Sequence, residues 1–260
     1  MKTVALFCAM VILLMASPVL AGWVVEEVSG DAEDQEVTTL YIQDNKIKAV
    51  GSQIMIFDLE KGTFCVVIPQ QKVYYIGQVG EMQKQAEAVG KRMEEEYLKQ
   101  LPPEQREAYE QYRKSMKKEE PPAARKLKVQ VKKTSEKPKI VGYSTQKYEV
   151  RVDGELVEEL WIAPDVNVGA EIDLGKYREF STSMSSGSAE ASYSLAEEYM
   201  ALMERGYPLK KIEYEEGEQT VTEATKAEKK KIPDSEFRPP KSFRKADMEE
   251  MMRAQQGSSE

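Results

Sequence analysis

The chain has 260 residues, a formal net charge of −8, 41% hydrophobic residues and no histidine. The acidic balance argues against nucleic acid as the main partner, because phosphate recognition rests on a cationic field. The missing histidine removes Ser-His-Asp and Cys-His catalytic arrangements and histidine-bearing zinc sites.

The first residues carry Lys2, an apolar run from Val4 to Met15, and small residues up to Ala21. This is the layout of a secretory signal cleaved between Ala21 and Gly22, so residues 1–21 are set aside from the fold and the mature protein is expected in the periplasm. Gly22 and Trp23 stand where a lipoprotein would carry an acylated cysteine, which predicts a mature protein without a lipid anchor. Cys8 leaves with the signal, and Cys65 in GTFCVVIP reads as a buried, inert thiol with no disulfide partner. Glu26, Glu27, Asp31, Glu33 and Asp34 read as a solvated acidic loop, since they lack the spacing of a calcium loop.

From Trp23 to Gly77, short apolar runs (EVTTLYI, KIKAV, QIMIFDL, TFCVVI, KVYYI) alternate with turn residues, which predicts a meander of antiparallel hairpins. The period then changes. Met82, Ala86, Val89, Met93 and Tyr97 fall on one stripe of a charged helix. Leu101-Pro102-Pro103 interrupts it, and Tyr109, Tyr112 and Met116 form the stripe of a second helix, so residues 79–118 make a helical insertion.

RKLKVQVKK alternates as a half-buried strand, and KYEVRV-Asp153-Gly154-ELVEELWIA is a hairpin with a two-residue turn. Its return strand places Leu160 and Ile162 on one side and Trp161 on the other. EIDLGKYREFSTSM and SLAEEYMALMERG are helical, with Ser194 as N-cap and Gly206 as the stop. A further hairpin follows in YPLKKIEYE and QTVTEATKAEKK, then an extended KIPDSEFRPPKSF, and residues 244–260 are expected to be a flexible tail.

Strands with short turns and helices in blocks indicate α+β. No catalytic residue, metal site or cofactor motif emerges: the Ser-x-x-Lys matches at Ser115 and Ser242 lack the other elements of a penicillin-recognising site.

IMIFDLEKGTFCVVIPQQKVYYIG, LPPEQREAY, YEVRVDGELVEELWIAPD and KIPDSEFRPPKSF together resemble an exported bacterial domain-of-unknown-function family, the 4412 family. That family is in turn similar to the periplasmic lipoprotein carriers LolA and LolB. The resemblance covers Thr38 to Phe243 and implies a strongly curved antiparallel sheet, an open half-barrel with helices packed on its concave face, within one domain spanning residues 22–243. It implies no catalytic residues and no cofactor.

The resulting expectation is a non-catalytic periplasmic binding protein, a carrier or chaperone for a lipid, an acylated envelope protein or another hydrophobic ligand. Trp161, Tyr148, Val150, Tyr75, Met82, Met93, Tyr109, Tyr112 and Met116 are the candidate lining. For each aromatic, core packing is the simpler reading. The competing role is an envelope scaffold with a filled interior that binds other proteins through its charged helix or tail.

Overall fold

The computed structural model describes residues 21–30, 35–102, 104–106, 108–109, 127–185, 193–215 and 217–256. The predicted signal, Tyr112, Met116, Asp31, Glu33 and Asp34 lie outside them.

The first six strands are β1 (Gly22–Ser29), β2 (Glu36–Gln43), β3 (Lys46–Val50), β4 (Ile54–Asp58), β5 (Thr63–Ile68) and β6 (Val73–Gln78). They form the predicted meander, each pairing antiparallel with the next. Asp44 and Asn45, at φ 50° and 58°, make the tight β2–β3 turn, a conformation these two residue types adopt most readily after glycine. Helix α1 (Val79–Gln100) follows directly.

The second half supplies β7 (Val129–Lys133), the small β8 (Lys139–Ile140) and β9 (Tyr143–Ser144) hairpin, then β10 (Gln146–Val152) and β11 (Glu155–Ala163). Asp153 and Gly154 turn β10 into β11 with φ of 53° and 96°. Helices α2 (Leu174–Ser185) and α3 (Glu197–Met203) precede β12 (Tyr207–Glu215) and β13 (Glu218–Lys230), and β14 (Arg244–Lys245) leads to α4 (Met248–Gln256).

Twelve strands join in one sheet, ordered β14-β6-β5-β4-β3-β2-β1-β13-β12-β11-β10-β7, and the sheet does not close on itself. The strands on either side of the helical insertion thus meet along β1–β13. The architecture is α+β, as expected, with one departure from the antiparallel expectation: β14 runs parallel to β6.

Cross-strand registers carry one face from end to end, because paired residues point to the same side. Phe64, Phe57, Ile47, Ile42 and Trp23 are successive partners, and Trp23 shares its side of β1 with Val25 and Ser29. Ser29 leads on through Thr222, Lys211 and Leu160 to Tyr148. Phe180 of α2 packs edge-on against Phe57 at 5.5 Å, and Leu202 of α3 is buried in a cluster with Tyr148, Val150, Leu160 and Ile162. Both helices therefore sit on this face. The other face of β4 and β5 is covered by chain without regular helix: Phe237, in a 3-10 turn at Asp234–Phe237, and Phe243 pack on Ile56, Cys65 and Val67.

Two expectations need correction. Glu26 and Glu27 belong to strand β1, flanked on both sides, and not to an acidic loop; their neighbours Val24 and Val25 are fully buried. The region 244–260 is not simply a tail, since Met251 and Ala254 of α4 are buried in the main core cluster.

Candidate functional site

Helix α2 is fixed on the sheet by polar contacts at its start. Asp173 caps it, its Oδ1 accepting the Lys176 amide at 3.1 Å. The Asp173 amide donates to Oδ1 of Asn45 in the β2–β3 turn (2.6 Å), and Lys176 pairs with Glu60 (2.6 Å). Helix α3 begins at Ala196 without a side-chain cap, so Ser194 does not fill the expected role. Its end is set by Gly206, at φ 146°, where an added Cβ would lie 2.2 Å from the Ala163 carbonyl oxygen. Only glycine permits that turn into β12.

Between these helices and β2–β4 lie two adjoining hollows of about 400 and 320 Å³. They share Leu40, Ile47, Tyr177 and Ser194. The first is completed by Phe57, Phe180 and Met184, the second by Tyr199, Met200 and Tyr207. Among the described residues, no charged side chain lines either hollow. Tyr177, 38% exposed, forms part of the rim.

Two of the wall tyrosines turn their hydroxyls away toward acids, half-buried Glu27 and buried Glu158. Tyr207 donates to Oε1 of Glu27 at 2.7 Å, and Tyr199 donates to Oε1 of Glu158 at 3.3 Å. Burial raises the Glu27 carboxyl above its ordinary range, against the Tyr207 hydrogen bond and the Lys211 ammonium, which lower it. Burial likewise raises Glu158 to about 7, opposed by Lys211 and Tyr199. The Tyr199 and Tyr207 hydroxyls are held well above the usual phenol range by the same burial and by those carboxylates. The groove thus receives the ring faces of Tyr199 and Tyr207 while their hydroxyls are engaged behind the wall.

None of the described lining candidates borders these hollows. Tyr148 and Val150 are buried beneath α3. Trp161 alternates with Leu160 and Ile162 and is buried in the main core cluster, its ring flanked by the Lys147 and Lys210 ammonium groups at 4.8 and 5.7 Å. Tyr75 packs on Phe64 and donates to Gln85 at 2.6 Å, beside a separate recess of about 730 Å³ whose walls carry Glu81, Arg244, Lys245, Asp247 and Glu250. Met93 is half-buried on α1, Tyr109 meets Tyr97 edge-on at 6.2 Å, and Met82 lies in α1. The groove residues that sequence reasoning missed, Leu40, Ile47 and Phe57, were legible only as strand residues.

The Cys65 thiol is pushed up to about 12 by burial, as the inert reading requires. Among the described residues, no group of three or more His, Cys, Asp or Glu side chains could hold a metal ion. No helix among them is long and apolar enough to cross a membrane.

No curated protein matches the chain. Among solved structures, PNGF-II in a C2 crystal form is similar at 12% identity with a TM-score of 0.39, over 92% of this chain and 33% of that one. MucB is similar at 10% identity with a TM-score of 0.39, over 86% and 59%. The Pseudomonas aeruginosa MucA/MucB complex gives 8% identity and a TM-score of 0.39, over 86% and 58%. The chain spans between a third and three-fifths of the length of these proteins. A family model matches residues 100–243, from the end of α1 through β13 to Phe243, and the chain belongs to that family, described as a domain of unknown function (DUF4412).

Proposed function

We propose that the protein is a non-catalytic binding protein of the periplasm that holds a hydrophobic ligand in the groove between α2, α3 and strands β2–β4. The observation that carries this reading is the uncharged lining of two adjoining hollows, each within the range of about 300–1,000 Å³ typical of ligand pockets. Each buried methylene of a ligand contributes about 0.8 kcal/mol, so a run of eight offsets about 6 kcal/mol of the cost of association. Met184, Met200 and Met203 suit such a wall because methionine adapts its shape to irregular partners. In this reading the sheet bends as an open half-barrel around α2 and α3, and the N-terminal segment is the signal that exports the chain. An acyl chain, free or carried by an envelope protein, is the ligand class that fits an elongated uncharged groove.

The test is a titration with the fluorescent probe N-phenyl-1-naphthylamine against the wild type, Leu40→Trp and Ala49→Phe. Saturable uptake weakened tenfold or more by either groove-filling change supports the proposal. Absence of uptake, or uptake indifferent to both changes, overturns it in favour of a scaffold with a filled interior.

A further inference from the structure

We infer that Glu158 is a proton-operated latch for α3: the helix closes on the sheet when this carboxyl is neutral and loosens when it is ionised, which makes entry to the groove proton-linked. The ligand-exchange part of this statement rests on the groove reading above. The movement of α3 does not.

Glu158 is 1% exposed, and its two oxygens are treated unequally. Oε1 accepts the Tyr199 hydroxyl at 3.3 Å, whereas Oε2 has no hydrogen-bond partner among the described residues. The groups around it come from every packed element. Helix α3 supplies Tyr199, and the 3-10 turn before it supplies Tyr193, whose ring meets Tyr199 edge-on at 5.7 Å. Strand β12 supplies Lys211 and Glu213, which pair with each other at 2.9 Å. Strand β10 supplies Val150, the cross-strand partner of Glu158. Arg205, just after α3, lies over the Tyr148 ring at 5.8 Å and is occupied there.

Among the described residues, the ammonium that acts on Glu158 is that of Lys211, which is shared with Glu213, and the ionised Glu158 would keep a single long hydrogen bond from a neutral donor. A buried carboxylate so poorly solvated is costly, and the cost disappears once water reaches it. Burial accordingly holds the group near 7, well above its ordinary 4.5. The element that keeps water away is α3, through Tyr199 and Leu202. The same helix presents Tyr199, Met200 and Met203 to the groove.

The sign follows from proton linkage. The closed state binds the proton more tightly than the open state, so closure is fully favoured at low pH and weakens as pH rises from about 4.5 through 7. Between pH 5.5 and 8 the opening equilibrium of α3 should increase about tenfold or more.

The experiment is amide hydrogen exchange of ligand-free full-length protein at pH 5.5 and 8, corrected for intrinsic exchange chemistry and read at Met200 and Glu204. Both amides are bonded within this helix, to Ala196 and Met200. Wild type should lose about tenfold or more of its protection at pH 8, and Glu158→Gln should be flat. Tyr199→Phe, which keeps the ring and removes the donor, should steepen the loss. A flat wild-type profile, or an equal slope in Glu158→Gln, overturns the latch. Should Glu158→Gln fail to fold, the wild-type and Tyr199→Phe profiles decide alone. Dissociation of N-phenyl-1-naphthylamine over the same pH range separates the two readings. A probe that never binds removes the groove while α3 exchange still judges the latch, and a probe that binds with pH-independent α3 exchange removes the latch while the groove stands.

Discussion

Glu27 and Tyr207 come from the first and twelfth strands and meet 2.7 Å apart, the best-formed of the hydrogen bonds behind the groove wall. Removing the donor leaves a half-buried carboxylate with the Lys211 ammonium as its remaining support. Tyr207→Phe should therefore cost about 1–3 kcal/mol at pH 7 by urea unfolding. Tyr214→Phe, which releases Glu159 on a more open part of the sheet, should cost under about 1 kcal/mol and serves as the control. At this scale the sequence was readable wherever a residue type dictates its own backbone. Asp153 and Gly154 turn the hairpin, and Gly206 ends α3, because their φ values suit those residues. Alternation puts Glu158 on the side of Leu160 and Ile162, and Glu27 on the side of Trp23 and Val25. An acidic side chain nevertheless reads as solvated, and only the α3 and β12 tyrosines that meet these two reveal why they face inward.

Elements show the same division. The five hairpin strands with clear alternation or apolar runs stand where their sequences put them, but β1, with two adjacent glutamates, was hidden by its charge although it joins the two halves of the sheet. The stripe on α1 is only partly used: Val89 is 4% exposed and Tyr97 is 53% exposed. Helix α4 was missed since a nine-residue, charge-rich segment has little helical tendency alone and gains its order from docking. Its ion pairs Arg253–Glu96 and Arg92–Glu249 lie at 3.7 and 3.6 Å between exposed groups and contribute little. Burial of Met251, 3% exposed, is the stronger tie. Met251→Ala should destabilise the protein by about 2–4 kcal/mol, and protease digestion should then cut the chain near residue 245 before the sheet is attacked. Equal resistance of the variant and the wild type would show α4 to be dispensable.

On the scale of the whole molecule, the groove is a product of topology. Its floor comes from β2–β4 and its roof from α2 and α3, more than a hundred residues later, and they meet because β1 pairs with β13. The lining expected from sequence followed methionines and aromatics on the helical insertion and the β10–β11 hairpin, where local pattern is strongest. The structure instead puts Tyr148 and Val150 in the packing beneath α3, and Trp161 in the main core cluster with Trp23 and Phe180. Periodicity reports which residues share a face of one element, but not which faces enclose empty space.

The most direct measurement of the central claim is native mass spectrometry of the protein purified without detergent from its own cells, comparing the wild type with Leu40→Trp. The groove reading predicts a hydrophobic adduct of defined mass on the wild type that is lost or strongly reduced in the variant. An adduct-free wild type that also fails to take up an acyl chain added in excess, or an adduct equally retained by Leu40→Trp, would contradict it.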